Sequence, residues 1–164
     1  MPEKKQGEDM LNEFIEWAGK NDWNISVVQN RTDIPDIIRE RYAVPEQWAD
    51  FIRGAHICEN STATKWFLTF EDYSTVSDGF QWNEFELQSL DVCDNDEEKE
   101  SIISFWDIHL PIILSVENGY SYYAVNTENG CVVSGHEPEF EECTVIADSF
   151  SAFIEKIISG EIVL

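Results

Sequence analysis

Two copies of the tripeptide Glu-Asn-Gly, at 117–119 and 128–130, each stand between runs of β-favouring residues. No other feature constrains the fold as tightly. Asn and Gly accept the left-handed backbone that a tight hairpin demands, so Asn-Gly between apolar runs is the strongest short-range hairpin signal. The runs 112–116, 120–125 and 131–134 are therefore expected to form an antiparallel meander, with 144–146 adding a strand after the acidic loop 137–142.

Helical spacing appears on either side of that meander. Met10, Leu11, Phe14, Ile15 and Ala18 recur at intervals of three and four, and Gly19 follows where a helix would stop. Residues 23–28 read as a strand or an extended linker, and Pro35 starts a second helical stretch carrying Ile37 and Ile38. Pro45 suits a first helical position, with Trp48, Phe51, Ile52 and Ala55 as the buried stripe. The run 65–70 is apolar on both faces and reads as an interior strand, while 71–92 has no clear period and is expected to be irregular. Asp94 with Glu97 forms a capping-box pattern ahead of Ile102, Ile103, Trp106 and Leu110, a helix that must end before Pro111. Acids crowd its first turn, in keeping with the helix dipole. Asp148 or Ser149 then caps a last helix with Phe150, Phe153, Ile154, Ile157 and Ile158 inside and Gly160 at its end. The pattern predicts one α+β domain over 1–164, a central largely antiparallel sheet flanked by N-terminal helices, a middle helix and a C-terminal helix.

Charge narrows the function classes. Thirty-three Asp and Glu against ten Lys and Arg give a net charge of −23, yet 43% hydrophobic and 13% aromatic residues supply a real core, unlike a disordered acidic chain. Phosphate backbones and anionic membranes need clustered cations, so neither nucleic acid nor membrane is an expected direct partner, and a basic protein is the natural complement. The imbalance is uneven: residues 1–65 hold twelve acids and eight bases, whereas 66–164 hold twenty-one acids with only Lys99 and Lys156. The competing reading is that the charge merely confers solubility. Cys58, Cys93, Cys131 and Cys143 show no C-x-x-C spacing and read as free thiols. The amino terminus lacks the apolar stretch of a signal peptide and no run approaches membrane-spanning length, which predicts a cytoplasmic protein.

Motifs for chemistry are sparse. The histidines His56, His109 and His136 stand in no recognisable catalytic pattern, and His109, one turn after Phe105 and Trp106, reads as structural. His136 with Glu137, Glu139, Glu141 and Glu142 lacks the fixed spacing of a zinc or calcium loop. Carboxylate pairs at a catalytic separation are inevitable among so many acids and carry no specificity. The eight glycines are scattered at turns, away from any phosphate-binding pattern. No metal, cofactor or catalytic residue is expected. Trp82, Glu84 and Phe85, after Asp78 and Phe80, place large rings among acids, either as core under a loop or as an interface anchor.

Taken in order, several segments resemble the SUKH superfamily, which includes the fungal Smi/Knr cell-wall-synthesis regulators and many bacterial immunity proteins. The resemblance runs through Ile34-Pro35, Val44-Pro45-Glu46-Gln47-Trp48-Ala49-Asp50-Phe51, Trp66-Phe67-Leu68-Thr69-Phe70 and Pro111-Ile112-Ile113. It continues in Gly119-Tyr120-Ser121-Tyr122-Tyr123-Ala124-Val125, Cys131-Val132-Val133 with Glu137-Pro138-Glu139, and Ala147-Asp148-Ser149-Phe150-Ser151-Ala152-Phe153. It covers roughly 34–158, leaving 1–33 as an N-terminal helix and linker. It implies helices around a sheet and a non-enzymatic immunity protein that binds and neutralises a cognate toxin, often a nuclease. The residues expected to meet such a basic toxin are Glu137, Glu139, Glu141 and Glu142 of the acidic loop, with Asp72, Asp78 and Glu84 and with Trp82 as anchor. Two alternatives stay open: a regulatory scaffold like the fungal relatives, and a carboxylate-dependent hydrolase.

Overall fold

A computed structural model of the chain describes residues 2–27, 33–74 and 80–164, with side chains described from Asp9 onward. In chain order the elements are α1 (Pro2–Lys20), β1 (Trp23–Val27), α2 (Asp36–Arg41), α3 (Glu46–Arg53), β2 (Ala55–Asn60), β3 (Lys65–Phe67) and α4 (Phe70–Ser74). They continue with α5 (Glu84–Val92), α6 (Asp96–Ile108), β4 (His109–Ser115), β5 (Ser121–Asn126), β6 (Val132–His136), β7 (Cys143–Ala147) and α7 (Phe150–Ile158). Among the described residues the seven strands form one antiparallel sheet in the order β1 to β7, each strand beside its neighbour in sequence. The chain is α+β, with the expected meander as the C-terminal half of a longer one.

Both sheet faces are covered, which explains why β4 is buried at every position instead of alternating. On one face Phe67 meets Phe14 of α1 and Phe51 of α3, and Tyr123 meets Phe153 of α7. On the other, Tyr122 packs on Trp106 of α6 and Phe85 of α5. The helices α2 and α4 close the end where β4 begins: Tyr42 donates its hydroxyl to the Trp106 carbonyl at 2.8 Å, and Tyr73 donates to the Pro111 carbonyl at 2.7 Å. No helix among the described residues is long and apolar enough to cross a membrane.

The two Asn-Gly turns are built differently. Asn118 and Gly119 both have positive φ (56° and 95°), the left-handed backbone that these two residue types accept. In the second turn Gly130 alone is left-handed (φ 82°), and the Asn126 side chain accepts from the backbone amides of Glu128 and Asn129.

Several boundaries differ from expectation. The stretch 71–92 is not irregular, since it contains the end of α4 and all of α5, while 75–79 lie outside the described residues, as does Val28 of the expected 23–28 strand. The helical period of α5 is hidden because its inner face holds Glu86 and Ser89, and Leu87 faces out. The helix expected to reach Ala55 stops at Arg53, and β2 follows directly. The 65–70 strand keeps only three residues before Phe70 opens α4. The cap of α6 is Asn95, which accepts from the Glu98 amide at 2.8 Å, while Glu98 returns a carboxylate to the Asp94 amide at 3.2 Å, one residue later than the Asp94/Glu97 pairing. Pro111 lies inside β4, tolerated beside a bulge.

Candidate functional site

The acidic loop 137–142 follows β6 and is docked by its middle residues. Phe140 is 4% exposed and stacks on Phe85 of α5, with ring centroids 4.4 Å apart and planes 8° from parallel. The Tyr122 hydroxyl donates to the Phe140 carbonyl. Across the strand pair from Tyr122 stands Gly135, where a Cβ would lie 2.5 Å from the Tyr122 hydroxyl, so the ring occupies the space a side chain would need. Burial raises the Tyr122 phenol pKa far above its ordinary range, and it stays a neutral donor. Glu141 turns inward and its Oε2 accepts from Ser89 Oγ of α5 at 2.8 Å and from Trp106 Nε1 of α6 at 2.9 Å. Glu137, Glu139 and Glu142 point outward and are exposed.

The underlying helices are fixed by a charge cluster. Arg41 of α2 donates two hydrogen bonds to the Glu86 carboxylate, at 2.8 and 2.7 Å, and a third from Nε to Asp107 of α6 at 3.0 Å. This bidentate geometry links three helices, and it explains a glutamate on the buried side of α5.

The remaining residues expected at a partner surface part company with the loop. Asp72 half-buries its carboxylate at the start of α4, accepting from the Thr69 amide (2.8 Å) and hydroxyl (3.0 Å). Glu84 opens α5 and accepts from the Gln81 amide at 3.3 Å. Trp82 is 6% exposed, packed against the rings of Tyr42 and Tyr73, so it belongs to the core and not to an outward surface. Asp78 lies outside the described residues.

What spacing arguments miss is the gathering of acids in one layer. From Glu84 to Asp107 the chain holds nine carboxylates and one base, Lys99; residues 137–142, docked on the same helices, add four more carboxylates. Asp91, Asp94, Asp96, Glu97, Glu98, Glu100 and Asp107 are exposed. The opposite layer, α1, α3 and α7, holds eight acids against five bases. The face formed by α5, α6 and the loop is therefore the strongly negative side, with potential summed over many exposed groups.

The histidines lie apart from one another. His56 Nδ1 faces Glu71 at 3.1 Å, His136 Nδ1 contacts the Glu137 carbonyl at 2.8 Å, and His109 is buried, stacked 4.0 Å from Phe105 and bonded to its carbonyl. Burial lowers the His109 pKa. Among the described residues no three His, Cys, Asp or Glu are grouped to hold a metal ion. The four cysteines are free, Cys58 and Cys131 buried and Cys143 exposed on the edge strand β7. Comparison of the chain with protein-family models, with curated proteins and with solved structures finds no match.

Proposed function

We propose that this protein is a stoichiometric binding protein of the immunity type, which captures a basic protein toxin inside the cell and blocks it by occupying its cationic surface. The reading is supported above all by the segregation of charge: the layer of α5, α6 and residues 137–142 holds thirteen carboxylates against Lys99, with Arg41 of α2 as the cation bound to Glu86 and Asp107. A uniform coat would suffice for solubility, whereas a one-sided field steers an oppositely charged partner and raises its association rate. Nuclease-type toxins, whose substrate clefts are cationic, are the class such a face complements. The SUKH-like order of segments points the same way, and the packed interior beneath the loop, with Phe140 on Phe85 and Glu141 bonded to Ser89 and Trp106, gives the exposed carboxylates a fixed base.

The test is an affinity capture from the native host's lysate at low and at 0.5 M salt. The reading expects one basic protein in near-equal amount at low salt, sharply reduced at high salt, whose activity the bait suppresses on titration to one equivalent. Recovery of many weak partners with no activity suppressed would replace it with the scaffold reading.

A further inference from the structure

Next to the acidic loop lies a surface that the charge alone does not account for. Trp66 on β3 and Tyr120 before β5 are half-buried, and Phe80, 37% exposed, lies between them, with centroids 5.8 Å from Trp66 and 5.6 Å from Tyr120. The two contacts are inclined by 78° and 64°, so the rings present a mixture of edges and faces. Ile57, 45% exposed, stands on β2 two residues from Glu59, and Glu59 pairs in register with Trp66, so all three share one sheet face. Lys65, by the same alternation, belongs to the opposite face. On the far side, the amide of Glu137 donates to the Tyr120 carbonyl at 2.9 Å, and the Glu137 carboxylate oxygen lies 3.1 Å from where a Cβ on Gly119 would be. Carboxylates thus border the aromatic surface on two sides.

We propose that this surface, Ile57, Trp66, Phe80 and Tyr120 framed by Glu59 and Glu137, is the anchor point for an arginine-bearing segment of the basic partner. Guanidinium is planar and weakly hydrated; it stacks on aromatic faces while its edge hydrogen-bonds to a carboxylate, two features supplied here side by side. A lysine ammonium meets the carboxylates equally well but gains less from the rings. Aromatic clusters ringed by polar groups are the usual centres of binding energy in protein interfaces, and the charge complementarity selects a basic occupant. The inference rests on the reading of the protein as a binder of basic partners, and it moves the anchor from Trp82 to Phe80 and its neighbours.

The experiment compares fluorescein-labelled hexa-arginine and hexa-lysine peptides, titrated with the full chain at 50 mM and 300 mM salt. Wild type is expected to hold the arginine peptide about threefold to tenfold more tightly at both salts. Phe80→Leu and Tyr120→Leu keep apolar volume and remove the ring; each is expected to bring that ratio close to one while leaving hexa-lysine affinity within about twofold. Equal affinity of wild type for the two peptides, or a preference surviving in both variants, overturns the anchor and leaves the acidic-face reading intact. Absence of salt-dependent binding for either peptide overturns both.

Discussion

Phe85 and Phe140, fifty-five residues apart in the chain, lie 4.4 Å centroid to centroid and nearly parallel, so the acidic loop is held to α5 by a buried ring pair while the carboxylates of Glu137, Glu139 and Glu142 stay in water. The arrangement separates the two demands on the loop. Attachment depends on Phe140 and Glu141, and presentation of charge on Glu137, Glu139 and Glu142. Phe140→Ala is expected to cost about 3 kcal/mol in urea unfolding, the lower part of the range for a buried aromatic because a loop relaxes more readily than a core strand. Glu141→Gln is expected to cost about 1 kcal/mol by weakening two charge-assisted hydrogen bonds. Glu139→Gln, on an exposed side chain, should stay within about 0.5 kcal/mol of wild type.

The cluster of Arg41, Glu86 and Asp107 makes a second prediction, about sign. Glu86→Ala takes the bidentate partner from a guanidinium whose side chain is 23% exposed, and a loss of roughly 2–3 kcal/mol is expected, short of the deepest cases because Arg41 keeps Asp107 and some water. The double variant Arg41→Met/Glu86→Leu removes both charges together. Its stability should exceed that of Glu86→Ala by at least about 1 kcal/mol, and a simple sum of two losses in a double-mutant cycle would refute this.

Gly135 is open to a direct steric test. An alanine Cβ there would come within 2.5–2.7 Å of the Tyr122 hydroxyl and ring, and Tyr122 is held by the Phe140 carbonyl. Gly135→Ala is expected to destabilise by about 2 kcal/mol through overpacking. In the background Tyr122→Leu, which itself costs stability, the same substitution should cost markedly less. Equal costs in the two backgrounds would show that the glycine serves some purpose other than clearance.

Mild acid should act through His109. Burial lowers its folded-state pKa below the ordinary 6.5, with the hydrogen bond to the Phe105 carbonyl and the charge of Glu128 opposing. The unfolded chain therefore takes up a proton near pH 6.5 that the folded chain refuses until lower pH. Between those values the unfolded state binds more protons, so stability falls as pH is lowered and is unaffected well above 6.5. Urea unfolding at pH 7.5 and pH 5.5 should show a larger loss for wild type than for His109→Phe. Identical losses would assign the effect to other groups.

How far the sequence leads depends on what each segment's pattern has to report. The hairpins are legible because Asn-Gly acts locally, through backbone φ, and because the sheet follows chain order throughout. The C-terminal helix is legible from its single apolar stripe and the Ser149 cap, which accepts from the Ala152 amide at 3.1 Å. By contrast α5 is invisible, since its inward Glu86 and Ser89 answer to Arg41 and Glu141, residues 45 and 52 positions away that no local window contains. Trp82 misleads for a related reason: a ring among acids looks the same in one dimension whether it faces Tyr42 and Tyr73 or water. The acids themselves are plain in the composition. Their concentration on one layer is not, because it is completed by the loop 137–142 folding back onto helices that precede it by some forty residues.

That concentration yields the sharpest test of whether the charge has a direction. If the acidic layer steers a basic partner, reversing three of its exposed charges, Glu97→Lys, Glu139→Lys and Glu142→Lys, should slow association with hexa-lysine about tenfold at 50 mM salt. Reversing three on the opposite layer, Glu13→Lys, Glu46→Lys and Glu155→Lys, changes net charge by the same amount but should slow it by no more than about threefold. At 0.5 M salt the screening length falls to about 4 Å and the two triple variants should converge on wild type, because steering acts over distances that screening removes. Stopped-flow fluorescence at both salts distinguishes the cases. Equal slowing by the two triple variants at low salt would mean that the peptide responds to total charge alone, and the acidic layer would then have no privileged role in capture.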